Sequence, residues 1–216
     1  TCLPGGCLRL TEDGAVDAVL PAVPEGCAEP VEDWGDCLIL QGFCDLHLHG
    51  PQYPMVGMGM DLPLLDWLSA YAFPMEARFA DVAYAREVYR RLAAELIAGG
   101  TTRVAMFSSL HTDATLALME ELERAGISGF AGKVNMDRNG GENLQETAES
   151  SQSETMRCLE ACGDFRRTRP ILTPRFTPSC SDAVMAFLGR LARERQLPVQ
   201  SHLSENRAEI DWVRRL

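Results

Sequence analysis

The 216 residues are enough for one domain with a sizeable core, or for one domain and part of another. The formal net charge of -11 disfavours nucleic acid and anionic membrane surfaces as partners, and no apolar run is long enough to span a bilayer. The eight cysteines match no zinc-knuckle or Cys-x-x-Cys spacing, which together with nine methionines favours a reduced, cytoplasmic protein. No basic-then-apolar secretory signal is present, and a chain that begins with Thr1 is compatible with a lost true start.

Residues 1–40 are rich in glycine, proline and acidic residues, with short apolar runs between them. We predict that they form part of a small β domain, separate from residues 41–216. Asp13-Gly14 is typical of a hairpin turn, and residues 37–40 have the composition of a strand.

From Phe43 onward, segments with strand and helix periodicity alternate. A buried strand is predicted over 43–48, because an apolar run is bounded there by Gly42 and Gly50-Pro51. Helix signals include Asp81 and Ser181 as caps, Thr112 or Asp113 as a third cap, and Gly126 as a stop. The predicted strands after the first cover 101–107, 130–136, 170–173 and 198–202, and the predicted helices 63–73, 82–98, 113–125, 143–162, 182–196 and 205–216.

This alternation predicts an α/β fold of parallel strands, with five strands after Gly42. A closed TIM-type (β/α)8 barrel needs eight strands, and the sequence stops at Leu216, within the helix after the fifth. We therefore expect a barrel truncated after about strand five, or else an open doubly wound sheet. No glycine-rich phosphate loop follows any strand, which counts against a nucleotide-binding open sheet.

Histidines lie where the first and last predicted strands end. His47 and His49 are two residues apart, so on a strand their side chains point to the same face and can bind one metal ion. A His-x-His pair also occurs by chance, but here it follows an apolar strand and precedes a Gly-Pro turn. His202 at the end of the fifth strand is the natural third ligand.

Other polar residues follow the same strand ends. Glu205 is three residues after His202 and could relay protons near a metal site, although glutamate is also favoured at a helix start. Arg175-Phe176 combines a fork of donors with a flat apolar face, which suits a planar heterocycle, and Gln52 adds an amide able to pair with a lactam edge. A surface arginine and a core phenylalanine are the structural alternative. His111 is better explained by a helix-capping loop.

The chain resembles the guanine deaminases of the amidohydrolase superfamily over most of residues 40–216. The matching motifs are Gly42-Phe43 to His49, Pro51-Gln52-Tyr53-Pro54, Asp61 to Leu65, Phe73-Pro74, Gly100-Thr101-Thr102, His111-Thr112-Asp113, Gly132-Lys133-Val134, Met136-Asp137, Thr173 to Phe176, Ser179-Cys180-Ser181 and Gln200 to Asn206. Gln41 departs from the family, which usually has proline there; this affects a turn and not the site.

The resemblance implies a mononuclear zinc (Zn2+) enzyme that hydrolyses guanine to xanthine and ammonia. It implies that His47, His49 and His202 bind zinc and that Glu205 shuttles protons. It also implies a homodimer. The residues that it places around the purine are His49, Gln52, Arg175, Phe176, His202 and Glu205. The family's further histidine and metal-binding aspartate lie on later strands, beyond Leu216.

Two alternatives stay open. One is another amidohydrolase that acts on a different aminated heterocycle, which a substrate panel would distinguish. The other is a catalytically incomplete metal-binding fragment, because three histidines without the distal aspartate leave zinc short of supporting groups.

Overall fold

The computed structural model describes residues 2–141 and 143–216, which form two compact units divided between Leu40 and Gln41. In the first unit, strands β1 (Cys7–Leu10) and β2 (Val16–Leu20) pair antiparallel. Gly14 in their connection has a φ of 82°, so the predicted hairpin turn is confirmed. The strand predicted over 37–40 is wrong, because that exposed segment pairs with no other strand in the described part of the chain.

The second unit is built on a parallel sheet. Its strands β3 (Phe43–His49), β4 (Thr101–Phe107), β5 (Ser128–Gly132) and β7 (Thr168–Pro170) lie side by side in chain order. Two short strands, β6 (Val134–Asn135) and β8 (Thr173–Pro174), form a further parallel pair. The predicted α/β class with parallel strands is therefore confirmed. Neighbours that follow chain order are typical of a barrel, whereas the order reverses in a doubly wound sheet.

Three predicted strands differ in detail. The third is interrupted at Lys133, whose buried ammonium bonds to the Val134 carbonyl at 3.1 Å and to the Glu146 carboxylate at 2.8 Å. The fourth is divided between β7 and β8. The fifth, over 198–202, is not a continuous ladder: isolated bridges join Leu172 to Val199 and Phe176 to His202.

Strand β3 is an edge strand, and the prediction that it is buried is wrong. It pairs with β4 on one side only within the described residues. Phe43 and Leu46 are 58% and 74% exposed. An apolar run indicates a strand that is suited to burial, but burial also needs elements that cover both faces.

The predicted helix over 63–73 is longer and less regular than expected. It consists of α1 (Leu64–Trp67), a π-helical turn (Leu68–Ala72) and α2 (Phe73–Ala77). The next helix, α3 (Val82–Ala98), begins as predicted at Asp81, whose carboxylate accepts hydrogen bonds from the Ala83 and Tyr84 amides.

Helix α4 (Thr112–Ala125) ends as predicted at Gly126, but its N-cap is His111 and not Thr112 or Asp113. Helix α5 (Ala148–Ala161) starts later than predicted, because a capping box at Thr147 fixes its first turn.

The last two helices also follow polar caps. Helix α6 (Asp182–Arg195) is capped by Ser181 as predicted. Helix α7 (Arg207–Val213) is capped by Asn206, so Glu205 precedes the helix and the predicted start at 205 is wrong.

The main core lies between helices α3 and α4 and one face of the sheet. Its largest fully buried members are Phe79, Tyr89, Met106, Leu118, Met119, Leu122 and Ile127. This packing holds the strands in register, so that their carboxyl ends meet at one edge. Among the residues described, no helix combines the length and apolar character needed to cross a membrane.

Candidate metal centre and adjoining cavity

Three of the four histidines of the chain come together at the carboxyl ends of the strands. One ring nitrogen from each of His47, His49 and His202 lies within 4.8 Å of the others. Strand β3 supplies the first two from one face, and the bridge between Phe176 and His202 brings in the third. The fourth histidine, His111, caps α4 and is not part of this cluster.

Hydrogen bonds fix which nitrogen of His202 faces the cluster. Its Nδ1 lies 2.7 Å from the Arg175 carbonyl oxygen, which can only accept, so Nδ1 carries the proton and Nε2 keeps its lone pair. Nε2 of His202 lies 2.9 Å from Nε2 of His49. Two imidazole nitrogens at this distance share either one proton or one cation.

The protonation states of His49 and His202 also favour a cation. Burial, and secondly the positive charge of Arg175, lower the pKa of His49 well below its usual range. Burial likewise lowers the pKa of His202. Neutral imidazoles are the form that binds zinc, and three protein ligands are typical of a catalytic zinc site. The residues present therefore fit a zinc ion.

Phe107 forms the apolar floor of the cluster. Its ring stacks on His49 with centroids 4.5 Å apart and on His202 with centroids 4.4 Å apart. It is the last residue of β4 and is paired in register with His49. Contacts of this kind restrict the orientation of the imidazole rings, which is the usual role of the groups behind metal ligands.

A cavity of about 370 Å³ adjoins the histidines, a size suited to a small ligand. All seven residues that were selected from the sequence line it, namely His47, His49, Gln52, Arg175, Phe176, His202 and Glu205. Its apolar side comes from the segment that runs from the end of β3 to the start of the π-helical turn, with Met55, Val56, Met60, Leu64, Trp67 and Leu68.

Arg175 is fully buried, 2% exposed, and forms a bidentate ion pair with Glu76, which is 1% exposed. Its Nη2 donates to Glu76 Oε1 at 2.9 Å, and its Nη1 donates to Glu76 Oε2. Gln52 donates through Nε2 to the same Oε1 at 3.0 Å. The structural alternative of a surface arginine is therefore wrong for Arg175.

Glu205 is exposed at the rim of the cavity, and its backbone is held in place from α7. The buried carboxylate of Glu209 accepts hydrogen bonds from the Ser204 amide at 3.0 Å and the Glu205 amide at 2.7 Å. Ser204 has a φ of 57°, so the turn between His202 and Glu205 is tight and needs such support.

Sequence reasoning missed Glu76, Phe107 and Glu209. A signal existed for Glu76, because it falls in a buried helical stripe with Leu68, Ala72 and Phe79, where a charge needs a partner. Glu209 stands three residues after the N-cap Asn206, the spacing of a capping box. Phe107 gave no signal beyond its place at a strand end.

Parallel strands in chain order, with a histidine cluster at their carboxyl ends beside a cavity, define an α/β protein of the barrel type with a candidate metal site. The sequence comparison gives the family. The model of the amidohydrolase family matches residues 38–216, and the chain belongs to that family.

The chain is similar in sequence to proteins from other organisms that are named guanine deaminases. The chain is 42% identical to a guanine deaminase from Dictyostelium discoideum over 191 residues, which cover 87% of this chain and 42% of that protein. It is 42% identical to the human guanine deaminase over 180 residues, which cover 82% of this chain and 40% of that protein. The chain thus spans about two fifths of the length of these relatives.

A solved structure of guanine deaminase from C. acetobutylicum with bound guanine superposes with a TM-score of 0.93 at 42% identity. The alignment covers 97% of this chain and 50% of that one. The predicted resemblance is confirmed at the level of family and fold.

Proposed function

We propose that this chain supplies the zinc and purine-binding part of a guanine deaminase, which hydrolyses guanine to xanthine and ammonia. The observation that carries the proposal is the convergence of Arg175 and Gln52 on one buried carboxylate beside three histidines. The similarity to guanine deaminases, one of them solved with bound guanine, supports it.

His47, His49 and His202 would hold the zinc ion, with the tautomer of His202 fixed by the Arg175 carbonyl. When bound, such an ion supplies a water molecule that loses its proton near neutral pH. The protein's own contribution is to keep the imidazoles of His49 and His202 neutral, through the burial that lowers the pKa of each, and to restrict their orientation.

Arg175, Gln52 and Phe176 would hold the purine. Arg175 offers donors to carbonyl and ring-nitrogen acceptors, Gln52 offers an amide, and the Phe176 ring, 4% exposed, provides an apolar contact for a planar base. Proximity of this pocket to the histidine cluster would place the amine-bearing carbon next to the zinc ligands His49 and His202.

Glu205 would move the protons. Its carboxylate would take one proton from the attacking water and give it to a ring nitrogen, where it stays, and would then move the proton of the added hydroxyl to the amino group, which leaves as ammonia while the new C=O forms. Deamination requires these transfers in sequence, and one carboxylate within reach of water and base can perform all of them. Its position on the cavity rim supports this role.

At larger scale, we propose that residues 41–216 are the first part of a TIM-type (β/α)8 barrel and residues 1–40 part of a small β domain. A homodimer in the cytoplasm remains our expectation for the intact protein. All eight cysteines are free in the structure, which supports a reducing compartment.

The test is to assay the intact protein for xanthine and ammonia production from guanine, before and after removal of metal by a chelator and restoration with zinc. Activity should disappear and return. His49→Ala should remove both bound zinc and activity, whereas His111→Ala, the matched control, should leave both unchanged.

Zinc bound without turnover of guanine would contradict the proposal. Turnover of a different aminated heterocycle in a substrate panel would then identify the alternative amidohydrolase. No turnover of any member of the panel would favour the metal-binding fragment.

A further inference from the structure

Glu76 is a buried carboxylate that the mechanism above does not use. It lies on α2 and does not itself line the cavity, but its two hydrogen-bond partners, Gln52 and Arg175, do. One of its oxygens, Oε1, accepts hydrogen bonds from both Gln52 Nε2 and Arg175 Nη2. Gln52 and Arg175 are therefore held side by side by a single atom.

Glu76 decides which end of the Gln52 amide faces the cavity. A carboxylate only accepts hydrogen bonds, so the NH₂ end must point to Glu76 and the carbonyl Oε1 is the end left for a ligand. Glu76 also takes two of the five N–H donors of Arg175 and leaves three. The pocket then presents one acceptor next to several donors.

Glu76 also sets the charge of the pocket. A guanidinium and a carboxylate that are both almost fully buried neutralise each other in a bidentate pair. A neutral ligand can enter without breaking the ion pair. A charged ligand that competed for Glu76 or Arg175 would leave the other one buried and unpaired. The site is thus adapted to an uncharged base.

We propose that Glu76 is a positioning residue that gives the pocket its selectivity for a lactam edge, an N–H next to a C=O. The N–H would donate to Gln52 Oε1, and the carbonyl would accept from Arg175. A base with the reversed pattern has a ring nitrogen, an acceptor, next to an amino group, a donor. Its ring nitrogen would face the Gln52 carbonyl oxygen, which is also an acceptor. Its amino group would face the N–H groups of Arg175, which are also donors. This proposal rests on the proposed function in taking the cavity as the purine site.

The test compares two bases that differ in this edge and lack the 2-amino group. Hypoxanthine carries the N–H and C=O pattern, and adenine carries the reversed one. Binding of each to the zinc-loaded intact protein is measured by calorimetry, and the ratio of the two dissociation constants is the readout. For the wild type we expect hypoxanthine to bind at least about tenfold more tightly, since a mispaired buried group is costly.

In Glu76→Gln the side chain can donate as well as accept, so both orientations of the Gln52 amide are satisfied. The preference for hypoxanthine should fall by about tenfold or more. Glu146→Gln is the matched control, because Glu146 is also a buried carboxylate, paired with Lys133 outside the cavity. It should lose stability without any change in the ratio.

If Glu76→Gln does not fold, Glu76→Asp keeps the charge but withdraws the carboxylate by one methylene, and the ratio should still fall. An unchanged ratio in the folded variant, or no preference in the wild type, overturns the role of Glu76. Guanine turnover by the wild type is measured in a separate assay, which tests the proposed function. A preference that depends on Glu76 in a protein without guanine turnover would uphold this role and overturn the proposed function.

Discussion

At the scale of single residues, Glu205 is the group whose role is most sharply testable. Because Glu205 precedes the N-cap Asn206, it lies outside the first turn of α7, where a helix dipole would favour an acid. Its exposed side chain at the rim of the cavity is free to exchange protons with water.

We expect Glu205→Gln to reduce guanine turnover by at least about 10²–10⁴-fold, the usual effect of losing a general acid–base group. Zinc content and guanine binding should persist, because the histidines and the side chains proposed to hold the purine are unchanged. Zinc content, guanine affinity and kcat of the variant are measured on one preparation. A near-normal kcat with zinc bound would show that Glu205 does not transfer protons in the reaction.

In the proposed site Arg175 has two separable roles, one through its side chain and one through its carbonyl. Arg175→Ala should raise KM for guanine, because a hydrogen bond from a charged donor is worth about 1.5–3 kcal/mol. Bound zinc should not change, since the carbonyl oxygen that holds His202 Nδ1 is retained.

The same substitution leaves Glu76 buried without its cation, so stability should also fall, by about 3–5 kcal/mol. Kinetics are therefore measured well below the unfolding temperature of the variant, with zinc determined on the same sample. Loss of zinc without a change in KM would show that Arg175 supports the metal centre and not the substrate.

At the scale of secondary-structure elements, α7 positions the turn between His202 and Glu205. Each carboxylate oxygen of Glu209 accepts a hydrogen bond from one of the Ser204 and Glu205 amides. Glu209→Gln replaces one of these oxygens with an NH₂ group, which cannot accept, and removes the negative charge of the side chain. We expect a stability loss of about 1–3 kcal/mol and a lower kcat at unchanged zinc content.

The control is Asp81→Ala, which removes the cap of α3 away from the cavity and should cost about 0.5–2 kcal/mol with no effect on kcat. Equal effects of the two variants on kcat would mean that Glu209 acts only through global stability.

At the scale of the whole molecule, the sheet leaves apolar surface uncovered. Phe43 and Leu46 on edge strand β3 are exposed, and Leu203 is 81% exposed. Edge strands with exposed apolar side chains pair with other chains. Produced by itself at micromolar concentration, the 216-residue chain should therefore associate in sedimentation experiments.

Leu46→Lys, a charge on the exposed edge, should reduce this association. A stable monomer with no response to the substitution would show that the edge is protected in solution.

The sequence alone determined the elements and their ends wherever a local signal was sufficient. Asp81, Ser181 and Gly126 act through hydrogen bonds or backbone angles within one turn, so their positions in the chain predict where helices begin and end. The pair His47 and His49 was predictable for the same reason, because strand geometry puts alternate residues on one face.

Only the tertiary structure decided which distant residues meet. The ion pair of Glu76 and Arg175 joins residues 99 apart, and the contact of Phe107 with His49 depends on the register of two strands. The exposure of β3 could not be predicted from the sequence either, because an apolar run does not show which elements cover it. Burial and long-range pairing are properties of the packed sheet, and no local pattern in the chain records them.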